Sequence, residues 1–202
     1  MKRTNIILLV LLVSALSYLF YVHTKNVNEQ LALIYDVPGK YTMTSPNADV
    51  TILDFNNYNC EHCRTLHPVL KEAMERDGRV RYISRTVSWA DGDWGKELVS
   101  APYAAGEQGK FIEMHDAIYE NWPVTSREEL FEIASEIGLD TKKLSRDLSR
   151  SDIQAWADTN FKFFKDWGIR GTPTLIIGKK FYRPKASGPT VEGLLEQFDK
   201  AR

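Results

Sequence analysis

Cys60-Glu61-His62-Cys63 contains the only two cysteines of the 202-residue chain, separated by two residues. A strand-like run, Val50-Thr51-Ile52-Leu53-Asp54-Phe55, precedes them. A helical pattern follows, with Leu66, Val69, Leu70 and Ala73 on one face. The pair therefore opens a helix. A thiolate there meets unpaired backbone N–H groups and the positive end of the helix dipole. Its pKa falls, and it becomes a nucleophile near neutral pH. The second cysteine is close enough to close a disulfide, so the pair can carry two electrons to or from another molecule.

Two other uses of the pair compete with this one. Zinc needs about four ligands, usually two C-x-x-C pairs or one pair and two spaced histidines. Here there is a single pair, and His62 and His67 share its helix. A purely structural disulfide would close a very small loop and remove little unfolded-chain entropy.

The elements that hold the pair read as follows. Val50–Phe55 is apolar on both faces except at Asp54, as a buried central strand would be. The cysteine helix runs from about Cys60 to Arg76, stops at Asp77-Gly78, and contains Pro68, which should kink it. A second strand covers roughly Arg79 to Val87, and the β-α-β order predicts parallel pairing. A helical stretch extends from about Gly95 to Trp167, with Leu98, Phe111, Met114, Ile118, Leu130, Ile133, Ala134 and Ile137 at helical spacing. Within it Ser126-Arg127-Glu128-Glu129 is a capping-box start. Thr174–Ile177 and Phe181-Tyr182 form a hairpin, and a last helix covers about Val191 to Lys200. His67 and His115 read as surface or packing histidines. Trp89, Trp94, Trp122, Trp156 and Trp167 read as core or groove lining.

With 43% hydrophobic and 26% charged residues and a net charge of −1, the chain suits one domain with a full core. It gives no electrostatic case for nucleic acid. The N-terminus differs. Lys2 and Arg3 precede an uncharged apolar run from Ile6 to Val22, at the lower limit for crossing a bilayer. Residues 1–22 are a membrane anchor or a signal segment. Val13-Ser14-Ala15 is a weak cleavage site, and the apolar run continues past it, which favours the anchor. Lys2 and Arg3 would then stay in the cytoplasm. Either way the rest of the chain is exported to a place where disulfides persist. Residues 23–45 read as a linker, in which Val27, Leu31 and Ile34 are spaced for a short helix. Residues 46–202 form the domain.

The order of elements resembles the α/β thioredoxin fold with an inserted helical subdomain at about 95–167. In detail it resembles the DsbA-like thiol–disulfide oxidoreductases of the bacterial cell envelope. Asp49–Phe55 leading into Tyr58–Arg64, Gly109–Tyr119 in the insert, and Gly168-Ile169-Arg170-Gly171-Thr172-Pro173-Thr174 carry the resemblance. It implies that Cys60 is the exposed nucleophile and Cys63 the resolving thiol. It makes His62 a stabiliser of the thiolate and Asp54 a buried acid that assists proton transfer. Thr172 and Pro173 correspond to a cis-proline loop that faces the disulfide and binds extended substrate backbone. Implied partners are exported proteins with cysteines and a DsbB-like membrane redox partner; no cofactor is implied. Glu61 departs from the best-known oxidants, which have proline there, and a carboxylate opposes thiolate formation. Three activities stay open: an oxidant, a reductase or isomerase of the same fold, and a non-catalytic binding module.

Overall fold

The computed structural model describes the backbone of residues 3–88, 92–184 and 188–202. Side chains are described there from residue 11 onward, except at 23, 26–28, 30 and 31. The chain divides into two compact units, Met1–Val37 and Pro38–Arg202.

The first unit is one helix, α1 (Arg3–Tyr35), 33 residues long. At 1.5 Å per residue it spans roughly 50 Å. Leu11, Leu16, Leu19 and Phe20 are exposed along it. Among the described residues no helix is long and apolar enough to cross a membrane. Lys2, and the side chains of Ile6–Val10 that open the apolar run, lie outside the described residues. So do the side chains of Val27 and Leu31 and all of Trp89. Of the expected linker at 23–45, the first part continues α1 without a break, and the last part belongs to the second unit, which starts at Pro38.

Two features bring Pro38–Thr44 into the second unit. A 3₁₀ turn, Gly39–Tyr41, buries Tyr41, and β1 (Met43–Thr44) adds an antiparallel edge strand. Tyr41 packs edge-on against Tyr103 and Trp156 at ring centroid distances of 5.3 and 5.4 Å. Its hydroxyl donates to Glu107, which also binds Lys40 at 2.5 Å and Arg150 at 3.3 Å. Gly106 makes this fit possible, since a Cβ there would sit 2.6 Å from the Tyr41 ring.

The sheet has the order β1-β3-β2-β4-β5. β2 (Val50–Phe55) is central and runs parallel to β3 (Val80–Ser84), as the β-α-β reading requires. β4 (Thr174–Ile177) pairs antiparallel with β2 and with β5 (Lys180–Tyr182). α2 (Glu61–Asp77) connects β2 to β3 and ends on Gly78, whose φ of 69° is the left-handed cap expected of glycine. α8 (Val191–Ala201) lies against α2 on the same sheet face. Leu66, Leu70 and Ala73 of α2, Leu194 and Phe198 of α8, and Val50, Ile52, Tyr82 and Leu175 of the sheet share one core. Each large apolar side chain buried there contributes about 1.5–3 kcal/mol.

The insert comprises α3 (Gly92–Gly106), α4 (Phe111–Glu120), α5 (Arg127–Glu136), α6 (Thr141–Leu148) and α7 (Ser151–Asp166). Ser126 caps α5 as the motif predicts. Its hydroxyl accepts from the Glu129 N–H, and Glu129 accepts from the Thr125 N–H. α7 covers the other sheet face, where Phe55 and Phe164 lie 6.3 Å apart.

β3 stops at Ser84, three residues earlier than expected. Beyond it the Arg85 and Val87 N–H groups still bind Asp54 O and Asn56 O. Side chains of Ser84, Thr86 and Asn56 bind one another there, and this polar cluster replaces the regular ladder.

Candidate active site

The loop after β2 aims the cysteines. The Asn59 N–H donates to Asn57 Oδ1 at 2.7 Å, and the Cys60 N–H donates to Asn57 O at 3.1 Å. Asn56, Asn57 and Tyr58 are buried, so the loop is fixed from below. Cys60 then becomes the N-cap of α2 with extended backbone angles. Both cysteines are free thiols; Cys60 is half-buried and Cys63 buried.

The two thiols are pushed in opposite directions. The Cys63 thiol beside Cys60 lowers the Cys60 pKa most, and Thr172 and the backbone N–H groups of Cys63 and His62 assist against burial. Together they bring it to about 5 from 9. Burial, then the hydrogen bond to Cys60, drives the Cys63 thiol far above its ordinary range. Cys60 is therefore the thiolate and Cys63 the proton-bearing partner at neutral pH.

The Thr172–Pro173 peptide is cis, and its loop packs on the pair. Cys60 Sγ lies 3.5 Å from the Thr172 carbonyl oxygen. The Thr172 hydroxyl is buried without a well-aligned hydrogen bond, yet near enough to favour ionisation of both sulfurs. A cleft of about 480 Å³ opens beside them, lined by His62, Leu66, Thr172, Pro173 and Arg183. The His62 imidazole is exposed on its wall, and Glu61 is exposed on the first turn of α2. The part of His62 that acts on Cys60 directly is its backbone N–H.

Asp54 is 4% exposed and close enough to Cys63 for its charge to act on that thiol. Burial raises its pKa to about 6, against hydrogen bonds from Tyr82 and Asn56 and the charge of His67. Oδ2 accepts from the Tyr82 hydroxyl at 2.9 Å and from Asn56 Nδ2 at 3.1 Å. Oδ1 is buried and accepts no hydrogen bond. The negative charge of Asp54 in turn raises the Cys63 pKa.

The structure brings Cys60, Cys63, Asp54, Thr172 and Pro173 together, with His62 on the cleft wall. It adds residues that the sequence reading left out. The Tyr82 hydroxyl is 3.1 Å from His115 Nε2, and Tyr58 is 2.7 Å from His115 Nδ1. His115 is wholly buried, so of its two readings, surface or packing, the packing one holds, as a hydrogen-bonded core group. His67 is buried too, 3.1 Å from Asp116 Oδ1 and stacked on Tyr119 at 4.5 Å. The signal for Tyr82 lay in the strand register, which sets Ile52 opposite Tyr82 and puts Asp54 one pair further on the same face. Among the described residues no group of three or more His, Cys, Asp or Glu is arranged to hold a metal ion.

A family model described as thioredoxin matches residues 36–197, most of the chain. The chain belongs to the thioredoxin family. Its C-x-x-C, cis-proline loop and helical insert are the features that the resemblance to DsbA-like thiol–disulfide oxidoreductases calls for. The thiol:disulfide interchange protein DsbA of Burkholderia cepacia is 23% identical over 162 residues, covering 78% of this chain and 76% of the relative. The Na(+)/H(+) antiporter NhaA 3 of Salinispora tropica is 25% identical over 165 residues, covering 77% of this chain. The chain spans only about a quarter (24%) of that antiporter's length. Among solved structures, the thiol-disulfide exchange protein alpha-DsbA2 from Wolbachia pipientis has a TM-score of 0.76 at 22% identity, covering 90% of this chain and 97% of that one.

Proposed function

We propose that this thioredoxin-family chain is a thiol–disulfide oxidoreductase that introduces disulfides into exported proteins. The observation that carries this reading is the opposite ionisation of Cys60 and Cys63 beside the cis-proline loop. In the oxidised protein a client thiolate attacks Cys60 Sγ. The Cys60–client bond forms, the Cys60–Cys63 bond breaks, and Cys63 takes the electron pair and then a proton. A second client thiolate attacks the client sulfur of the mixed disulfide. The client leaves oxidised, and Cys60 leaves as the thiolate that its surroundings favour.

Asp54 is the proton donor and acceptor for Cys63. Thr172 and Pro173 hold the extended client backbone in the cleft. His62 supports the thiolate from the cleft wall. The apolar run Ile6–Val22 supports anchoring in the plasma membrane, with the domain on the outer face in the bacterial envelope. A DsbB-like membrane protein, implied by the family resemblance, would reoxidise the pair.

A low Cys60 pKa stabilises the reduced, ionised form relative to the disulfide, and so makes the disulfide oxidising. Glu61, one residue away, favours the reductase or isomerase alternative, but its exposure leaves its field well screened. Refolding of reduced ribonuclease and reduction of insulin, each catalysed by the purified chain, separate the activities. The proposal expects catalysis of ribonuclease oxidation. Insulin reduction without ribonuclease oxidation identifies a reductase, and neither activity identifies a binding module.

A further inference from the structure

The buried network around Asp54 has a fixed hydrogen-bond direction. Asp54 is ionised at neutral pH, and a carboxylate only accepts. Tyr82 therefore gives its single proton to Asp54 Oδ2, 2.9 Å away. The Tyr82 oxygen also lies 3.1 Å from His115 Nε2, so Nε2 must carry a proton. Burial holds His115 neutral, with a pKa of about 3, which leaves Nδ1 bare. Nδ1 then accepts from the Tyr58 hydroxyl at 2.7 Å. Every proton from Tyr58 through His115 and Tyr82 to Asp54 is thereby assigned. Asn56 Nδ2 donates to the same Oδ2. Oδ1 stays buried, without a hydrogen bond.

We propose that the Tyr82–His115–Tyr58 chain is a positioning device that holds Asp54 Oδ2 as an acceptor and reserves Oδ1 for the proton exchanged with Cys63. This rests on the reading of Asp54 as the proton acceptor for Cys63. In the resolving direction the proton of Cys63 moves to Oδ1 as its sulfur attacks Cys60. The Cys60–Cys63 bond forms, the bond from Cys60 to the bound thiol breaks, and that thiol leaves with the electron pair. In the client-oxidising direction Cys63 leaves with the pair and takes the proton back from Oδ1. The chain keeps the carboxylate ionised until that proton arrives, because its donors favour the charged form. Without Tyr82, Oδ2 competes for the proton.

The other titratable groups around Asp54 come from two helices and the loop. Cys60 and His67 face it from α2, Tyr119 from α4, and Tyr58 from the loop. Cys60 carries no charge once it is in a mixed disulfide, so its titration drops out of the resolving step.

The reaction of the fully reduced chain with 5,5′-dithiobis(2-nitrobenzoate) separates the two thiols. Cys60 releases one thionitrobenzoate on attack, and Cys63 releases the second on resolution. The rate of the second phase is measured from pH 4 to 9, and the amplitude of the first reports the folded fraction. In the unaltered chain the second rate rises through an inflection near pH 6, set by Asp54. Asp54→Asn removes this inflection and slows the phase at least about tenfold. Tyr82→Phe keeps the shape and moves the inflection alkaline by about one pH unit, the equivalent of one hydrogen bond to a charged group. His115→Phe moves it the same way by less, and His115→Gln, which keeps a distal N–H donor, moves it least. If Asp54→Asn retains the inflection, the underlying reading of Asp54 fails. If Asp54→Asn abolishes it but Tyr82→Phe and His115→Phe leave it in place, the proposal is overturned while Asp54 keeps its role.

Discussion

Cys60 sits at the first backbone N–H groups of α2, and Cys63 sits one turn further in, under the cis-proline loop. The first position favours charge and the second penalises it, which suits Cys60 to the proposed attack and Cys63 to holding its proton. This predicts how the stability of the reduced protein depends on pH. The Cys60 pKa is about 5 when folded and 9 in the reference state. A depressed folded pKa contributes stability that is present above the reference value and lost as pH falls toward the folded value. The reduced form should therefore gain on the oxidised form between pH 5 and 9. Asp54, with a pKa of about 6, is ionised above pH 7, so the slope between pH 7 and 9 belongs to Cys60. Thermal melts of both forms across this range check the slope; a difference that is flat or falls with pH contradicts the thiolate assignment. At this scale the sequence was most informative where chemistry is rare. Two lone cysteines and one acid in an apolar strand stand out against their neighbours. Tyr82 and His115 do not, because an aromatic or a histidine at a core spacing is ordinary until a partner atom is placed beside it.

The elements follow local rules that the sequence states openly. Ser126 caps α5, Gly78 ends α2, and both bond as their types require. Less legible was the attachment of Pro38–Thr44. Its two-residue strand and single 3₁₀ turn are too short for any periodicity, and the side chain of Tyr41 packs against residues far along the chain, among them Tyr103, Glu107 and Trp156. Gly106 gives a test. Ala is the better helix former, and on an open helix Gly106→Ala would stabilise by up to about 1 kcal/mol. Here its Cβ would meet the Tyr41 ring and the Lys40 carbonyl oxygen. Gly106→Ala should instead destabilise by about 1–3 kcal/mol, read as a lower midpoint in urea. A raised midpoint would show that the turn yields to the methyl group. On the other side of the sheet, Leu70→Ala should cost about 2–5 kcal/mol, because Leu70 is 1% exposed between α2, α8 and the sheet.

On the scale of the whole molecule, the order β-α-β, helical insert, β-β-α was readable because each crossover has its own punctuation, from Asp77-Gly78 to the Gly178 turn. The N-terminal segment was readable only as composition. A run of apolar residues suits a lipid-facing or a leader segment, and only its continuation past the weak cleavage site at Ala15 favours the anchor. The continuous helix α1 extends past any plausible cleavage site at Ala15. The full chain should accordingly pellet with membranes and resist carbonate extraction; a soluble product beginning near Leu16 would identify a cleaved leader. The central claim concerns the exchange of disulfides between this chain and client proteins through Cys60. Its most direct measurement is diagonal gel electrophoresis, non-reducing then reducing, of cells expressing Cys63→Ser or Cys60→Ser. Cys63→Ser should accumulate reducible adducts with several exported proteins: its Cys60 thiolate attacks a client disulfide, the Cys60–client bond forms as a client thiolate leaves, and no Cys63 thiol is present to displace the client again. Cys60→Ser should accumulate none. Adducts on Cys60→Ser alone, or on neither variant, would contradict the account.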